Sequence, residues 1–286
     1  MTSRSDRAPA AGDSRDTRTV AIIGAGVMGE TVLSGLLRAG RRPDSLVVGE
    51  RREERAAELV DRYGVEVVSN AEAARRAEVV LLVVKPQDMA EVLEDIAIEL
   101  RAGQLLASLA AGITTAFVEE RVPTGVSVVR VMPNTPALVD EGMATISRGS
   151  HCTDDDLDTV TSLLSATGKV ARVPERQQDA VTAISGSGPA YIFFVVESMI
   201  EAGVHLGLPR STATDLVVQT VFGSATLLRE TGEHPTVLRE QVTSPGGTTA
   251  AAIRQLEDHK VRAAFLTAME AARDRSRALS GDSGSS

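Results

Sequence analysis

Two stretches of the chain combine residue types at spacings that suit the binding of small anions. The first is Gly24-Ala25-Gly26-Val27-Met28-Gly29, directly after a β-branched run and opening a helical pattern that continues toward Arg38. In such a loop the first glycine permits a tight turn and the second lets the backbone approach a pyrophosphate. The third allows close helix packing, and the helix N-terminus faces the anion. The second stretch is Thr243-Ser244-Pro245-Gly246-Gly247-Thr248-Thr249, which also opens a helix. Its amides and hydroxyls are donors suited to a carboxylate, and Gly246 and Gly247 remove side-chain obstruction. An ordinary N-cap needs one hydroxyl, so the density here exceeds capping.

Further candidates lie at strand ends. Glu50 falls where an acidic residue grips a ribose diol, but Arg51 and Arg52 follow at once and suit a 2′-phosphate. We read this as favouring NADPH, with both guanidiniums swung onto the phosphate and Glu50 turned to solvent; NADH is the alternative. The bland reading is a solvated helix start with local ion pairs over Arg51–Arg55. Lys85-Pro86-Gln87, Ser108–Gly112 and Met132-Pro133-Asn134-Thr135-Pro136 each follow a strand run, so three loops are expected to converge on one crevice at the carboxyl ends of the strands. Glu197, Glu201 and His205 have helical spacing but lack further His or Cys to complete a metal site. Cys152 beside His151 has no third group to orient it as a nucleophile. No metal site is expected.

The elements that must position these loops follow from hydrophobic periodicity. Runs at Val20–Ile23, Leu46–Val48, Val65–Val68, Val79–Val84, Leu105–Leu109 and Val126–Val131 read as strands, with amphipathic helical segments between most of them. That alternation predicts a parallel sheet covered on both faces. Met143–Ile146 and Val170–Val173 are further strands around a helix capped by Thr153. After about Pro174 the strand runs stop, and helical stretches are broken at Ser185–Pro189, Gly207–Pro209, Gly232–Pro235 and Ser244–Gly247. The helical part holds Tyr191, Phe193, Phe194, Phe222 and Phe265, more apolar surface than it can hide alone, which predicts dimerisation. The expected organisation is a disordered tail over 1–18, a Rossmann-type NAD(P)-binding domain over 19–174 (α/β, doubly wound), an all-helical dimerisation and substrate domain over 175–280, and a frayed end over 281–286.

Composition narrows the partners. A net charge of −9 and aromatics at only 2% argue against nucleic acid. The most apolar stretch, Ala190–Leu208, carries Glu197, Glu201 and His205, so no membrane span is expected. Met1–Arg18 lacks the apolar core of a secretory signal. The single cysteine excludes an intrachain disulfide and fits a cytoplasmic setting.

From Thr19 to about Arg277 the sequence resembles the pyrroline-5-carboxylate reductase family. The resemblance is carried by Val242–Thr249 with Ile253, Leu256 and Glu257, by Asp179–Tyr191, and by Val84-Lys85-Pro86, Ala110-Ala111-Gly112 and Met132–Pro136. It implies reduction of L-1-pyrroline-5-carboxylate to L-proline, with interleaved dimers that can build a ring of dimers. It further implies that Ala25–Gly29, Asn70, Val84, Lys85, Ala111 and Gln241, which stands where the family can place an asparagine, touch the cofactor. Ser244, Gly247, Thr248 and Thr249 would hold the substrate, with Glu175 near it. The competing readings are a related imine reductase, a β-hydroxyacid dehydrogenase, for which a lysine would be expected between Ala190 and Gly207, and a non-enzymatic NADP(H) sensor.

Overall fold

The β-branched runs become a single eight-stranded sheet in the computed structural model, which describes residues 17–282. The strands are β1 (Val20–Ile23), β2 (Leu46–Gly49), β3 (Glu66–Val68), β4 (Val79–Leu82), β5 (Leu105–Ser108), β6 (Ser127–Met132), β7 (Gly142–Arg148) and β8 (Gly168–Arg172). Their spatial order is β3-β2-β1-β4-β5-β6-β7-β8. All neighbours are parallel except β6 and β7, which run antiparallel with Met132 opposite Thr145. This departs from the all-parallel expectation, and the cause is connection length. Only residues 133–141 join β6 to β7, whereas a parallel crossover needs a dozen residues or more.

Each face of the sheet carries its own apolar layer, as strands buried on both sides require. The helices α1 (Val27–Arg38) and α6 (Asp154–Leu164) cover Ile22, Val48, Leu81 and Val129 with Leu33, Leu36, Val160 and Leu163. On the other face α3 (Asn70–Arg76) and α4 (Met89–Ala97) cover Ile23, Val80, Leu82 and Leu106 with Ala73, Met89, Leu93 and Ile96. Thr153 caps α6 as expected, and Asp156 answers it in a full capping box. Between these elements lie α2 (Glu53–Tyr63) and α5 (Thr115–Glu119).

The chain leaves the sheet through α7 (Gln178–Val181) and a π-helical turn at Thr182–Gly186. Gln178, fully buried, anchors this exit by accepting from Thr145 Oγ1 at 3.0 Å and donating to Ser147 Oγ at 2.8 Å. The remaining helices are α8 (Gly188–His205), α9 (Arg210–Thr231), α10 (Pro235–Gln241), α11 (Thr248–Asp258) and α12 (Val261–Asp282). The chain forms two compact units: the described parts of Met1–Gly186 and Ala272–Ser286 make one, and Ser187–Ala271 makes the other.

Several boundaries differ from expectation. Arg18 belongs with the folded part, because its Nη1 donates to Thr159 Oγ1 at 2.9 Å; residues 1–16 and 283–286, the rest of the two expected tails, lie outside the described residues. The helix expected to fray after 280 continues to Asp282. An additional break at His259–Lys260 separates α11 from α12, with Lys260 in the left-handed region at φ 57°. In the helical unit large apolar side chains stand exposed, among them Phe193 (65%), Phe194 (70%) and Phe222 (60%). By length and composition one stretch among the described residues, Glu175–His205, is apolar enough to cross a membrane. Its Glu201 pairs with Arg210 of α9 at 2.8 Å instead of joining a metal site.

Candidate active site

The glycine loop after β1 is shaped by close approach on one side and left open on the other. Gly24 has φ +95°, and a Cβ there would stand 2.8 Å from Val84 Cγ1 and 2.9 Å from the Val83 carbonyl. A Cβ on Gly29 would overlap the Gly24 carbonyl oxygen, so the first turn of α1 packs directly on the loop. At Gly26, by contrast, a Cβ would meet nothing within 4 Å. Gly26 is also the N-cap of α1 and offers no side-chain cap, so amides of the first helical turn are left for an incoming anion. Val27 beside it is 71% exposed.

These features sit at the carboxyl ends of β1 and β4, where the strand order reverses and open α/β sheets take ligands. The Gly24 amide donates to the Gly49 carbonyl at 3.2 Å. A Cβ on Gly49 would lie 2.7 Å from Asn70 Oδ1, and Asn70 is itself buried at the start of α3. Thus Gly24, Gly49, Asn70 and Val84 come together. The arrangement fits a dinucleotide: open space at the helix start, no cap competing for the amides, and a buried amide side chain at the end of the neighbouring strand. Among the described residues no group of three His, Cys, Asp or Glu could hold a metal ion.

At the end of β2 the structure corrects one expectation. Glu50 does not turn to solvent; its side chain is 7% exposed and is held by Arg52 Nη2 at 3.0 Å and Arg52 Nε at 3.1 Å. Burial opposes ionisation of Glu50, but the hydrogen bonds and charge of Arg52 outweigh it and draw the carboxyl below its ordinary range. Arg51 reaches Glu91 on α4 at 2.5 Å and Asp95 at 3.5 Å. Both arginines are therefore parked on carboxylates: Arg51 through exposed pairs that cost little to exchange, Arg52 through its exposed guanidinium on the nearly buried Glu50, a pair that costs more to break. Arg55, which the sequence reading did not single out, donates to the Ala25 carbonyl at 3.1 Å and pairs with Glu30 of α1. The Tyr63 hydroxyl at 2.7 Å, with Arg55 and Arg62, holds the Glu30 carboxyl below its usual range.

The other strand-end residues divide into open and committed ones. Lys85 precedes a short turn begun by Pro86. Ala111 is exposed, while Gly112 is buried at φ +78° with Leu279 of α12 beside it. Asn134 is committed internally: its Nδ2 donates to the Ser185 carbonyl at 3.0 Å and its Oδ1 accepts from the Met143 amide at 2.8 Å. Glu175 is also engaged, accepting from the Thr115 amide at 2.7 Å and from Thr115 Oγ1 at 2.6 Å. Cys152 donates to the Val128 carbonyl at 2.8 Å, and burial pushes its thiol pKa up, which is the profile of a packed residue and not of a nucleophile.

In the helical unit the hydroxyl-rich loop resolves into spent and unspent donors. Thr243 Oγ1 donates back to the Arg239 carbonyl at 2.6 Å. Ser244, Thr248 and Thr249 make no side-chain hydrogen bond to any described residue, and α11 starts at Gly247 without a side-chain cap. Gly246 adopts φ +66°, and a Cβ on Gly247 would overlap Ser244 Oγ. Three free hydroxyls thus surround the uncapped N-terminus of an eleven-residue helix. Gln241 ends α10 and is exposed in this same unit.

Comparison with known proteins adds family membership to this geometry. Residues 175–279 match the family described as pyrroline-5-carboxylate reductase dimerisation, and residues 19–112 match the one described as NADP oxidoreductase coenzyme F420-dependent. A pyrroline-5-carboxylate reductase from Corynebacterium melassecola is 49% identical over 265 residues, covering 91% of this chain and 98% of that one. The chain belongs to the pyrroline-5-carboxylate reductase family. Of the solved structures of pyrroline-5-carboxylate reductases, the one from Coxiella burnetii superposes with a TM-score of 0.89 at 36% identity, covering 93% of this chain and 99% of its own. The Plasmodium falciparum enzyme, solved with NADP bound, gives 0.82 at 30% identity, covering 92% and 98%.

Within the pyrroline-5-carboxylate reductase fold, the sequence reading missed Arg130 and Thr115. The signal for Arg130 was available: an arginine inside Ser127–Met132, an otherwise apolar central strand, must be buried and must find a carboxylate. No local pattern pointed to Thr115.

Proposed function

We propose that the protein reduces L-1-pyrroline-5-carboxylate to L-proline with NADPH, NADH being the less favoured donor. The observation that carries this reading is the uncapped start of α11 with the unspent hydroxyls of Ser244, Thr248 and Thr249 around it. A cyclic imino acid presents a carboxylate to such donors, and Gly247 gives it room. The cofactor would be held by Gly24–Gly29, Asn70, Val84, Lys85, Pro86, Ala111 and Gly112, with Arg51 and Arg52 leaving their carboxylates for the 2′-phosphate. Bound there, reduced nicotinamide supplies a hydride to the imine carbon.

The chain's own residues orient and anchor. The α11 amides and the Ser244 and Thr248 hydroxyls fix the carboxylate, and Thr249 holds the ring by its nitrogen or carboxylate. Thr249 both donates and accepts, so it can stay engaged as imine becomes amine. Protonation of the imine makes the electrophile, which lowers the demand for a strong general acid on the protein. Helix α8 carries no lysine, against a β-hydroxyacid dehydrogenase. Asn134 and Gln241 have supporting roles in this reading, Asn134 through the backbone it ties. The exposed Phe193, Phe194 and Phe222 belong to a homodimer interface, dimers assemble further into a ring, and the enzyme works in the cytoplasm. The apolar Glu175–His205 stretch accordingly meets a second copy of the chain instead of lipid.

The test is oxidation of NADPH and of NADH, measured separately with pyrroline-5-carboxylate, alongside the solution mass by light scattering. Turnover with NADPH preferred and a mass of at least two chains are expected. Cofactor binding without turnover, and no thermal shift with proline, would instead mark a sensor.

A further inference from the structure

Arg130 is buried in the middle of β6, only 5% exposed. Its register partners are Ser108 of β5 and Ser147 of β7, so a polar row crosses an otherwise apolar sheet face. Neither serine holds the guanidinium: Ser108 Oγ is buried without a hydrogen-bond partner, and Ser147 Oγ donates to the Val173 carbonyl. A buried guanidinium needs a carboxylate, and the one present is Glu175, whose Oε1 lies 3.5 Å from Arg130 Nη1.

The shorter bonds of Glu175 go elsewhere. Its Oε1 accepts the Thr115 amide at 2.7 Å and its Oε2 accepts Thr115 Oγ1 at 2.6 Å. This is a two-point grip on the first residue of α5, sixty positions earlier in the chain. The favourable field at that helix start adds to it. The loop between β5 and α5 therefore begins at Ser108, opposite Arg130, and ends at Thr115, on Glu175. Within it lie Ala111 and Gly112.

We propose that Glu175 is a positioning residue for the cofactor site. Backed by Arg130, it fixes the Leu109–Thr114 loop so that Ala111 and Gly112 are presented to the dinucleotide, and it does not itself contact the imino acid. This differs from the substrate-side role that the family resemblance implies for Glu175, and it rests on the reading that this loop meets the cofactor. Both carboxylate oxygens are already committed to Thr115, and one also to Arg130, so the group is spent on holding the protein.

The experiment compares wild type with Glu175→Gln, Thr115→Val and Thr115→Ser. The readouts are NADPH affinity by fluorescence titration and the separate KM values for NADPH and pyrroline-5-carboxylate. Glu175→Gln is expected to weaken NADPH about tenfold, since a displaced loop loses well-aligned contacts. Thr115→Val should give a roughly threefold to tenfold loss, and Thr115→Ser, which keeps the hydroxyl, should recover wild-type affinity. The KM for pyrroline-5-carboxylate and kcat should stay within about twofold. A raised KM for pyrroline-5-carboxylate with unchanged NADPH affinity would overturn the proposal and place Glu175 on the substrate. Unchanged constants throughout would overturn it as well. If Glu175→Gln does not fold, Thr115→Val decides, because its amide still caps on Glu175. A wild type that fails to bind NADPH would defeat the functional reading first, and this inference with it.

Discussion

The emptiness around Gly26 makes a two-sided prediction, because its effect on the protein alone and its effect on the complex should separate. Gly26 has φ −71° and ψ −167°, extended backbone that alanine adopts freely, and a Cβ would meet nothing within 4 Å. Gly26→Ala should thus leave the melting temperature of the cofactor-free protein unchanged. The same methyl would stand where a pyrophosphate must approach the amides at the start of α1. Losing one charge-assisted hydrogen bond there costs about 1.5–3 kcal/mol, which weakens NADPH roughly 10–150-fold. Gly29→Ala is the contrast: its Cβ would overlap the Gly24 carbonyl oxygen, so loop and helix must part by about 1 Å. Overpacking of that kind costs about 1–3 kcal/mol and should lower the melting temperature by roughly 2–12 °C without any ligand. Fluorescence titration with NADPH and calorimetry on both variants read the two effects. If Gly26→Ala binds NADPH as tightly as wild type, the pyrophosphate does not approach this glycine and the cradle has been misassigned.

Thr249→Val keeps shape and removes the hydroxyl; kcat/KM for pyrroline-5-carboxylate should fall by roughly 10–100-fold with NADPH affinity unchanged, and full activity at subsaturating substrate would return the loop to the role of a helix start. The double change Arg51→Ala, Arg52→Ala should raise the KM for NADPH by roughly 10–100-fold and barely affect NADH, whereas equal losses would show that neither arginine reads the 2′-phosphate. Tyr63→Phe removes the hydroxyl that holds Glu30 and should cost about 1–2 kcal/mol at pH 7. The Glu30 carboxyl sits below its ordinary 4.5 in the folded protein, so its contribution is present above that value and fades as the pH falls beneath it; urea titrations at pH 7 and in the acid range should show the gap between wild type and variant narrowing.

Strands buried on both faces leave near-continuous β-branched runs, which is why Val20–Ile23 was legible to the residue, while the run Val79–Val84 overshot the end of its strand at Leu82 by two residues. Direction leaves no such trace in composition, and the reversal of β7 lay only in the shortness of residues 133–141. The glycine loop was legible because each glycine answers a local steric demand. The pairing of Glu50 with Arg52 was local too, yet a strand end facing inward or outward is decided by what packs around it. The engagement of Glu175, as opposed to its place near the site, was beyond reach for a different reason: its partners Thr115 and Arg130 lie 60 and 45 positions away, and only the fold brings them together. The commitment of Asn134 to Ser185 and Met143 has the same origin.

The sheet-bearing unit is closed by its own distant C-terminal segment. Asp179 receives a hydrogen bond from Ser276 at 2.8 Å, and Gly112 lies against Leu279. During synthesis these two sites emerge long before their partners, because the 85 residues from Ser187 to Ala271 intervene. At about 5–20 residues per second the delay is roughly 5–19 s for the 97 positions from Asp179 to Ser276 and longer still for Gly112 and Leu279. The nascent strands can pair while the ribosome is still at work, but the Leu109–Thr114 loop must wait on a helix not yet made. Vectorial folding of this chain is therefore out of step with its order of assembly: the first unit to appear is the last to be completed, and its Leu109–Thr114 edge is exposed to chaperones and proteases in the interval.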